Sequence, residues 1–454
     1  MKRHIHFIGI GGIGVSGLAQ LALKKGELVS GSDAKASALT QRLADLGIRV
    51  YIGHRADQVQ GSDLVVHSSA IRPDNPELKA ALEEGISVKR RAEFLSELMA
   101  DKTVITVTGA HGKTTTSSLA AKLLISAGLH PTVAIGGILR EDGDNAKWGE
   151  SLYFVAEADE SDGSFLCYHP TYSIITNIDE EHLDFYGTYA RLTGAFGVFI
   201  SQTKSQGCVF YNREDQTLSR LVLNAAVRGV SFGFSPAADF YASQIRAGQG
   251  ILSFVCFKKE TRLGELVLSL TGRHHVLNAL AVVALGLELG IPFEKIRRAL
   301  EEFQGVERRF QVKHADQDIL LVDDYAHHPT EIRVTIEAAK ACPCRRVVTV
   351  FQPHRYTRTQ MLMDQFAESF RQSDYVIVTD IYAAGEEPIE GVTAQGLTER
   401  IRQKVTRPVE YIKKEDILDH LKKSVLKNDC VLFLGAGDIT KISDEFAKRL
   451  KPEA

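Results

Sequence analysis

The chain has 454 residues, more than one hydrophobic core usually holds, so length alone suggests about three domains. With 24 % charged and 44 % hydrophobic residues it has the balance of a globular protein, which excludes a disordered tract or a membrane-embedded bundle. A formal net charge of −3, with Lys and Arg scattered among Asp and Glu, leaves no basic stripe suited to nucleic acid.

The start, Met1-Lys2-Arg3 before apolar residues, superficially resembles a signal peptide, but the glycines that follow fit a strand-turn-helix. Short apolar strands are predicted at Ile5–Ile8, Leu28–Ser30, Arg49–Ile52 and Leu64–His67, alternating with helices, one of them opened by Asn75-Pro76 as cap and first-turn residue. This makes residues 1–99 an α/β domain with a parallel sheet. Gly9-Ile10-Gly11-Gly12-Ile13-Gly14 satisfies G-x-G-x-x-G after the first strand, and Ser32-Asp33 lies where a ribose-binding acid would sit. Alone, that spacing suggests an NAD dehydrogenase. The physics supports a less specific statement, that a diphosphate rests on this helix N-terminus whatever nucleoside it carries.

A second α/β unit, residues 100–307, opens on Thr103-Val-Ile-Thr-Val-Thr108 running into Gly109-Ala110-His111-Gly112-Lys113-Thr114-Thr115. In such a loop glycines let backbone N–H groups close on phosphate oxygens, Lys113 supplies a point charge, and Thr114 offers a hydroxyl to magnesium. The spacing is shorter than the usual phosphate loop, with Val107 where a glycine would stand. Strands at Leu152–Ala156 and Ser173–Thr176 end on two acidic clusters, Glu157 to Asp162 and Asn177 to Asp184. Glu157 and His182 are the candidate metal ligands, while Glu160, Glu180 and Glu181 read as a solvated acidic loop. Segments Phe240–Arg246, Ile251–Lys258 and Glu265–Ser269 suggest antiparallel hairpins before helices at 274–289 and 293–303. Val276 to Ile291, the most apolar long segment, is interrupted by Asn278 and Glu288 and is too short for a bilayer. Asn278 needs a partner on that apolar face, and an adenine edge would serve.

After Gly305, Glu307-Arg308-Arg309 reads as a linker into a third α/β domain, residues 308–454, with strands at Ile319–Val322, Val347–Phe351, Tyr375–Thr379 and Val431–Leu434. Asp323 to Glu331 and Gln352 to Arg358 each follow a strand and open a helix, and their arginines suit carboxylate or phosphate. Six cysteines, sparse and irregularly spaced, fit reduced thiols, and Cys342-Pro-Cys344 is half a metal site at most.

Taken together, Ile8 to Gly14, Gly109 to Thr115, Glu157 to Asp162, Asn177 to Asp184, Arg273 to Asn278, Gly305 to Phe310, Asp324 to Glu331 and His354 to Arg358 resemble the ATP-dependent Mur ligases of peptidoglycan synthesis over nearly the whole chain. The shortened phosphate loop is the one that family uses. The resemblance implies three α/β domains: an N-terminal Rossmann-like one holding a UDP-sugar, a central P-loop ATPase-like one with antiparallel β additions, and a C-terminal Rossmann-like one admitting an amino acid. It implies ATP and magnesium as cofactors, and UDP-N-acetylmuramate and L-alanine as small-molecule substrates joined through an acyl phosphate. Neither nucleic acid nor membrane insertion is expected, the location implied is cytoplasmic, and the oligomeric state, monomer or weak dimer, stays open.

Residue by residue, the resemblance places Gly9, Gly11, Gly12, Ile13, Gly14, Ser32 and Asp33 at the UDP-sugar. It places Gly109, Ala110, His111, Gly112, Lys113, Thr114, Thr115, Asn278, Arg309 and Asp324 at ATP. Thr114, Glu157 and His182 surround the metal, and His328, His354, Arg355 and Arg358 orient the acyl phosphate and incoming amine, with Lys113, Glu157, His182, Arg355 and Arg358 as the catalytic set. Domain closure would exclude water from the acyl phosphate. Three rivals stand beside this reading. One is the recycling ligase that attaches an intact tripeptide to the same UDP-sugar; the second is an NAD dehydrogenase, which leaves the second loop unexplained. The third is a nucleotide-binding regulatory protein without turnover.

Overall fold

The computed structural model describes residues 2–68, 70–138, 140, 143–248 and 250–450. The side chain of Asp184 and the last four residues of the third expected domain lie outside the described residues. Packing divides the chain into two compact units, one of residues 1–243, 254–266 and 276–303, the other of 244–253, 267–275 and 304–454.

In the first unit, β1 (His4–Ile8), β2 (Leu28–Asp33), β3 (Arg49–Ile52), β4 (Leu64–His67) and β5 (Ser87–Arg90) form a sheet in the order β3-β2-β1-β4-β5, parallel at every pair. Four of these strands were legible as apolar runs; β5, Ser-Val-Lys-Arg, was not, because three of its four residues are polar. The order reverses beside β1, which puts the Gly9–Gly14 turn at the topological switch point where open α/β sheets bind ligands. Asn75 caps the helix Pro76–Glu83 as its sequence predicts, its Oδ1 accepting from the backbone N–H groups of Glu77 (2.9 Å) and Leu78 (3.2 Å).

A second sheet, of which residues 244–253 and 267–268 are counted with the other unit, contains β6 (Thr103–Thr108), β7 (Thr132–Ala134), β8 (Ala146–Lys147), β9 (Tyr153–Glu157), β10 (Tyr172–Ile175), β11 (Cys208–Asn212), β12 (Gly229–Gly233), β13 (Phe240–Gly248), β14 (Ile251–Lys258) and β15 (Thr261–Leu268). Their order is β15-β14-β13-β12-β11-β10-β6-β9-β7-β8. Only Lys259-Glu260 joins β14 to β15, a connection too short for anything but an antiparallel hairpin. β6, which delivers the phosphate-type loop, is flanked by β9 and β10, so both acidic clusters emerge next to it. The two sheets share a core in which Phe7 meets Phe94 edge-on at 5.6 Å. Polar ties reinforce it: Asn145 Nδ2 donates to the Ile13 carbonyl at 2.7 Å, and Ser96 Oγ to that of Cys167 at 2.8 Å.

The second unit carries β16 (Gln311–Ala315), β17 (Ile319–Asp324), β18 (Arg346–Phe351), β19 (Tyr375–Val378), β20 (Val409–Tyr411) and β21 (Asp429–Leu434), ordered β16-β17-β21-β18-β19-β20. β16 is an antiparallel edge strand, directly after the stretch expected to be a linker. Along β18, Val347 and Phe351 enter one hydrophobic cluster while Val348 and Val350 enter another. The sheet is therefore covered on both faces, the usual state of parallel strands. Among the described residues no helix is long and apolar enough to cross a membrane.

Candidate functional site

At the first glycine turn, Gly9 sits at φ +79°, and its N–H and that of Ile10 donate to the Ser32 carbonyl at 2.8 and 2.9 Å. Gly11 N–H donates to Asp33 Oδ2 at 2.9 Å, and a Cβ on Gly11 would lie 2.9 Å from that oxygen. Asp33 is thus spent in part on the turn itself. Gly12 begins the helix Ile13–Lys25 without a side-chain cap, leaving N–H groups for a ligand, and Arg91 Nη1 would stand 3.1 Å from a Cβ on Gly14. Ile13 is exposed and the Ser32 side chain is buried.

The second loop is more tightly built. Gly109, at φ +126°, and Gly112, at φ +84°, hold it open before the helix Lys113–Ser126. Lys113 Nζ donates to the Gly109 and Ala110 carbonyls at 2.6 and 3.1 Å and to Glu160 Oε1 at 2.7 Å. Burial disfavours the Lys113 ammonium, but Glu160, Asp159 and Glu181 prevail and raise its pKa above the ordinary lysine value. Ala110 N–H donates to the Asn177 carbonyl, His111 N–H to Asn177 Oδ1, and His111 Nε2 lies 2.9 Å from Asp179 Oδ2. Thr114 Oγ1 donates to Glu157 Oε1 at 3.2 Å, and Gly136 N–H to Glu157 Oε2 at 3.0 Å. Thr115 is buried, and Asn278 Oδ1 would lie 2.9 Å from a Cβ on Gly112, so this amide stands against the loop.

Glu160 corrects the expectation of a solvated acidic loop: it is 1 % exposed, and its Oε2 is buried without a hydrogen-bond partner among the described residues. The cause is its ion pair with Lys113, 47 residues away. Glu181 is also largely enclosed, whereas Glu180 is exposed as expected. His182, at φ +57°, places Nε2 3.6 Å from both Glu160 Oε1 and Glu181 Oε2. Burial lowers its pKa, yet Glu160 and Glu181 outweigh that and leave it raised.

Ligand atoms of Glu160, Glu181 and His182 all lie within 4.8 Å of one another. Of the residues expected around a metal, His182 stands with Glu160 and Glu181, and Glu157 accepts from the Thr114 hydroxyl. Two carboxylates and an orphaned buried oxygen suit a hard cation such as magnesium, which prefers oxygen and keeps several waters.

In the second unit the two predicted loops follow β17 and β18, the strands on either side of β21. Asp324 Oδ2 accepts from Phe310 N–H at 2.6 Å and its Oδ1 from Ala326 N–H at 2.7 Å; burial still pushes its pKa up to about 6. Arg309 stands 3.7 Å from Glu331 and 5.1 Å over the Tyr325 ring. His328 is the N-cap residue of the helix Pro329–Lys340, and Glu331 Oε2 accepts from its backbone N–H at 3.3 Å, so part of this loop is capping. His354 Nδ1 is 3.3 Å from Arg358 Nη1; burial, Arg358 and Arg355 bring its pKa down to about 4. Arg355, at φ +70°, anchors its N–H on the Tyr382 carbonyl at 2.8 Å.

Sequence reasoning passed over Arg308. It is no mere linker residue, because its guanidinium donates to the Gly435 and Gly437 carbonyls at 2.5 and 3.1 Å and stacks 5.0 Å over Tyr325. It also passed over Tyr382, whose ring stacks on His354 at 5.6 Å. The one available signal was Gly435-Ala436-Gly437 between a strand and a helix.

Comparison with known proteins agrees with this geometry. The chain matches the models of the Mur ligase family catalytic domain over residues 4–103, the Mur ligase middle domain over 107–286 and the Mur ligase glutamate ligase domain over 308–437. It is 46 % identical to the UDP-N-acetylmuramate--L-alanine ligase of Geotalea uraniireducens over 448 residues, 98 % of each chain. With that of Syntrophotalea carbinolica it shares 47 % over 451 residues, 99 % of this chain and 98 % of the relative. Among solved structures, the UDP-N-acetylmuramate-alanine ligase of Thermotoga maritima superposes with a TM-score of 0.85 at 33 % identity, covering 98 % of each chain. A murein peptide ligase from Psychrobacter arcticus shares the fold, with a TM-score of 0.73 at 24 % identity, covering 100 % of this chain and 99 % of its own. Full-length identity at this level, on top of two phosphate-type loops and an arginine-bearing third sheet, leaves one conclusion: the chain belongs to the Mur ligase family.

Proposed function

We infer that this chain is an ATP-dependent ligase that joins L-alanine to the lactyl carboxylate of UDP-N-acetylmuramate, releasing ADP and phosphate, in peptidoglycan precursor synthesis. The observation that carries this reading is end-to-end identity of 45–47 % to relatives named for that reaction. The work divides over residues 1–99 for the UDP-sugar, 100–307 for ATP and 308–454 for the amino acid, and the setting is the cytoplasm.

The chemistry follows from energetics. A carboxylate is a poor acyl donor, so a lactyl oxygen first attacks the γ-phosphorus of ATP and ADP leaves. The neutral amine of L-alanine then adds to the acyl carbon, and the tetrahedral intermediate expels phosphate. Glycines 109 and 112 open the loop N–H groups to the triphosphate, and Lys113, held as an ammonium by Glu160, offsets the charge that builds on the transferring phosphoryl group. Magnesium, when bound, supplies further charge neutralisation, and Glu160, Glu181 and His182, with Thr114 and Glu157, are the residues that would hold it. Asn278, against Gly112, is suited to the adenine edge. In the second unit, Arg355 and Arg358 present planar forks for the carboxylate of the amino acid and the anionic acyl phosphate, with His354 beside Arg358 and His328 assigned to the same task.

Phosphate release from ATP, measured with UDP-N-acetylmuramate and in turn L-alanine, glycine, L-serine and the tripeptide, tests the reading. Turnover requiring the UDP-sugar and strongest with L-alanine is expected; equal or faster turnover with the tripeptide would make the recycling activity the right one.

A further inference from the structure

One cluster of buried titratable groups has no part in the mechanism above. His6 on β1 and Glu77 in the first turn of the helix Pro76–Glu83 are both fully buried, with His6 Nε2 donating to Glu77 Oε2 at 2.7 Å. The same oxygen accepts from Ser32 Oγ at 2.8 Å, and Glu77 Oε1 accepts from His54 Nδ1 at 2.7 Å. On the far side, His6 Nδ1 meets Ser30 Oγ at 2.8 Å, and so does His4 Nε2. A polar ladder therefore runs up one face of the first sheet, because His6 pairs with Ser30 and Ile8 with Ser32 in the β1–β2 register. Burial would raise the Glu77 pKa, but bonds from His6, Ser32 and His54 hold it below the ordinary carboxylate value. A buried charge with three donors is costly to build and destabilising to break, so its presence calls for a reason beyond packing.

The upper end of the ladder lies at the glycine turn. The Ser32 carbonyl accepts both Gly9 and Ile10 N–H, and Gly53 N–H donates to the Asp33 carbonyl, which places His54 two residues beyond the end of β3, whose last residue Ile52 pairs with Asp33. The His54 side chain is 20 % exposed. With Nδ1–H committed to Glu77, Nε2 is the ring's remaining polar atom, a lone pair ready to accept from a hydroxyl or an imide N–H.

We propose that buried Glu77 is a positioning residue for the UDP-sugar, fixing Ser32 beneath the glycine turn and orienting His54 so that its Nε2 accepts a hydrogen bond from the uridine. This rests on the reading of the first glycine turn as the UDP-sugar site. Asp33 already gives Oδ2 to Gly11 N–H, so a second acceptor at the same strand ends complements it.

The test is steady-state kinetics of the full chain with Glu77→Gln, His54→Ala and the double variant, each checked by its melting temperature. Glu77→Gln should raise KM for UDP-N-acetylmuramate about tenfold while kcat and KM for ATP and L-alanine stay within about twofold, because the defect lies in orientation and not in chemistry. The double variant should be worse than His54→Ala by no more than the roughly threefold that Ser32 carries, well short of the product of the single losses, as expected when one residue acts mainly through the other. Should Glu77→Gln fail to fold, Ser32→Ala, which removes a single donor, should show the same selective rise in KM, at about threefold. An unchanged KM in the folded variant, equal losses toward all three substrates, or multiplying losses in the double variant would overturn the proposal. Failure of the underlying reading looks different: wild-type phosphate release would then ignore the UDP-sugar altogether.

Discussion

Replacing Gly109 by Ala probes the phosphate-type loop without touching a charge. At φ +126° this residue lies where L side chains rarely go, and a Cβ would fall 2.3 Å from Thr176 Oγ1, 2.7 Å from the Asn177 carbonyl oxygen and 2.9 Å from its nitrogen. None of these atoms can step aside cheaply. Thr176 Oγ1 donates to the His111 carbonyl at 2.6 Å, and the Asn177 carbonyl holds Ala110 N–H at 3.1 Å, so any shift opens the loop's own bonds. Backbone strain of about 1–3 kcal/mol adds to an overpacking cost of about 1–3 kcal/mol, together about 2–6 kcal/mol. Expressed in the loop's function, even about 3 kcal/mol is roughly a hundredfold in kcat/KM for ATP; expressed in stability, about 2 kcal/mol lowers the melting point by about 2–4 °C. Gly128→Ala is the control, since Gly128 also has positive φ, +78°, but nothing stands within 4 Å of its Cβ position. It should cost about 1 kcal/mol and leave ATP kinetics alone. Thermal melts and ATP titrations of both variants decide the matter. A Gly109→Ala protein no less stable than the control, with unaltered KM for ATP, would refute the steric reasoning.

Glu160→Gln keeps the shape but removes the charge that pairs with Lys113; phosphate release should fall by two orders of magnitude or more, and a rate within threefold of wild type would remove Glu160 from the site. Arg355→Lys and Arg358→Lys retain charge but lose the planar fork, so turnover should drop about tenfold or more, whereas unchanged kinetics in both would leave these arginines a surface role. His354, at about 4 in the folded protein against about 6.5 unfolded, lets the unfolded chain bind the extra proton, so it makes stability rise as pH increases from about 4 to 6.5. Arg358→Gln removes one cause of that depression, and the His354 ring resonances should titrate at higher pH; an unmoved midpoint would contradict the geometry. Asp324 has the opposite sign: at about 6 folded against about 3.9 unfolded, it is the folded protein that holds the extra proton between about pH 4 and 6, so stability falls as pH rises through that window. Denaturant melts of Asp324→Asn should therefore climb more steeply with pH over that window than wild type, and parallel profiles would count against the raised value.

What the sequence determined by itself was whatever depends on neighbours a few residues apart. The two glycine turns, Asn75-Pro76 as a helix start and the apolar runs of β1, β4, β17 and β18 were legible because backbone conformation and strand burial leave a local residue pattern. Strands without an apolar run escaped, as β5 and the edge strand β16 show, since pairing and not composition makes them strands. Tertiary structure alone decided the charge pairs. Glu160 reads like its exposed neighbour Glu180 until Lys113 lies 2.7 Å from it, and nothing near Glu77 in sequence announces His6, 71 residues earlier. It likewise decided that Asp33 would brace Gly11 and that Arg308 would hold Gly435 and Gly437. A buried charge is stabilised only by groups brought to it through space, and chain separation carries no trace of which groups those will be.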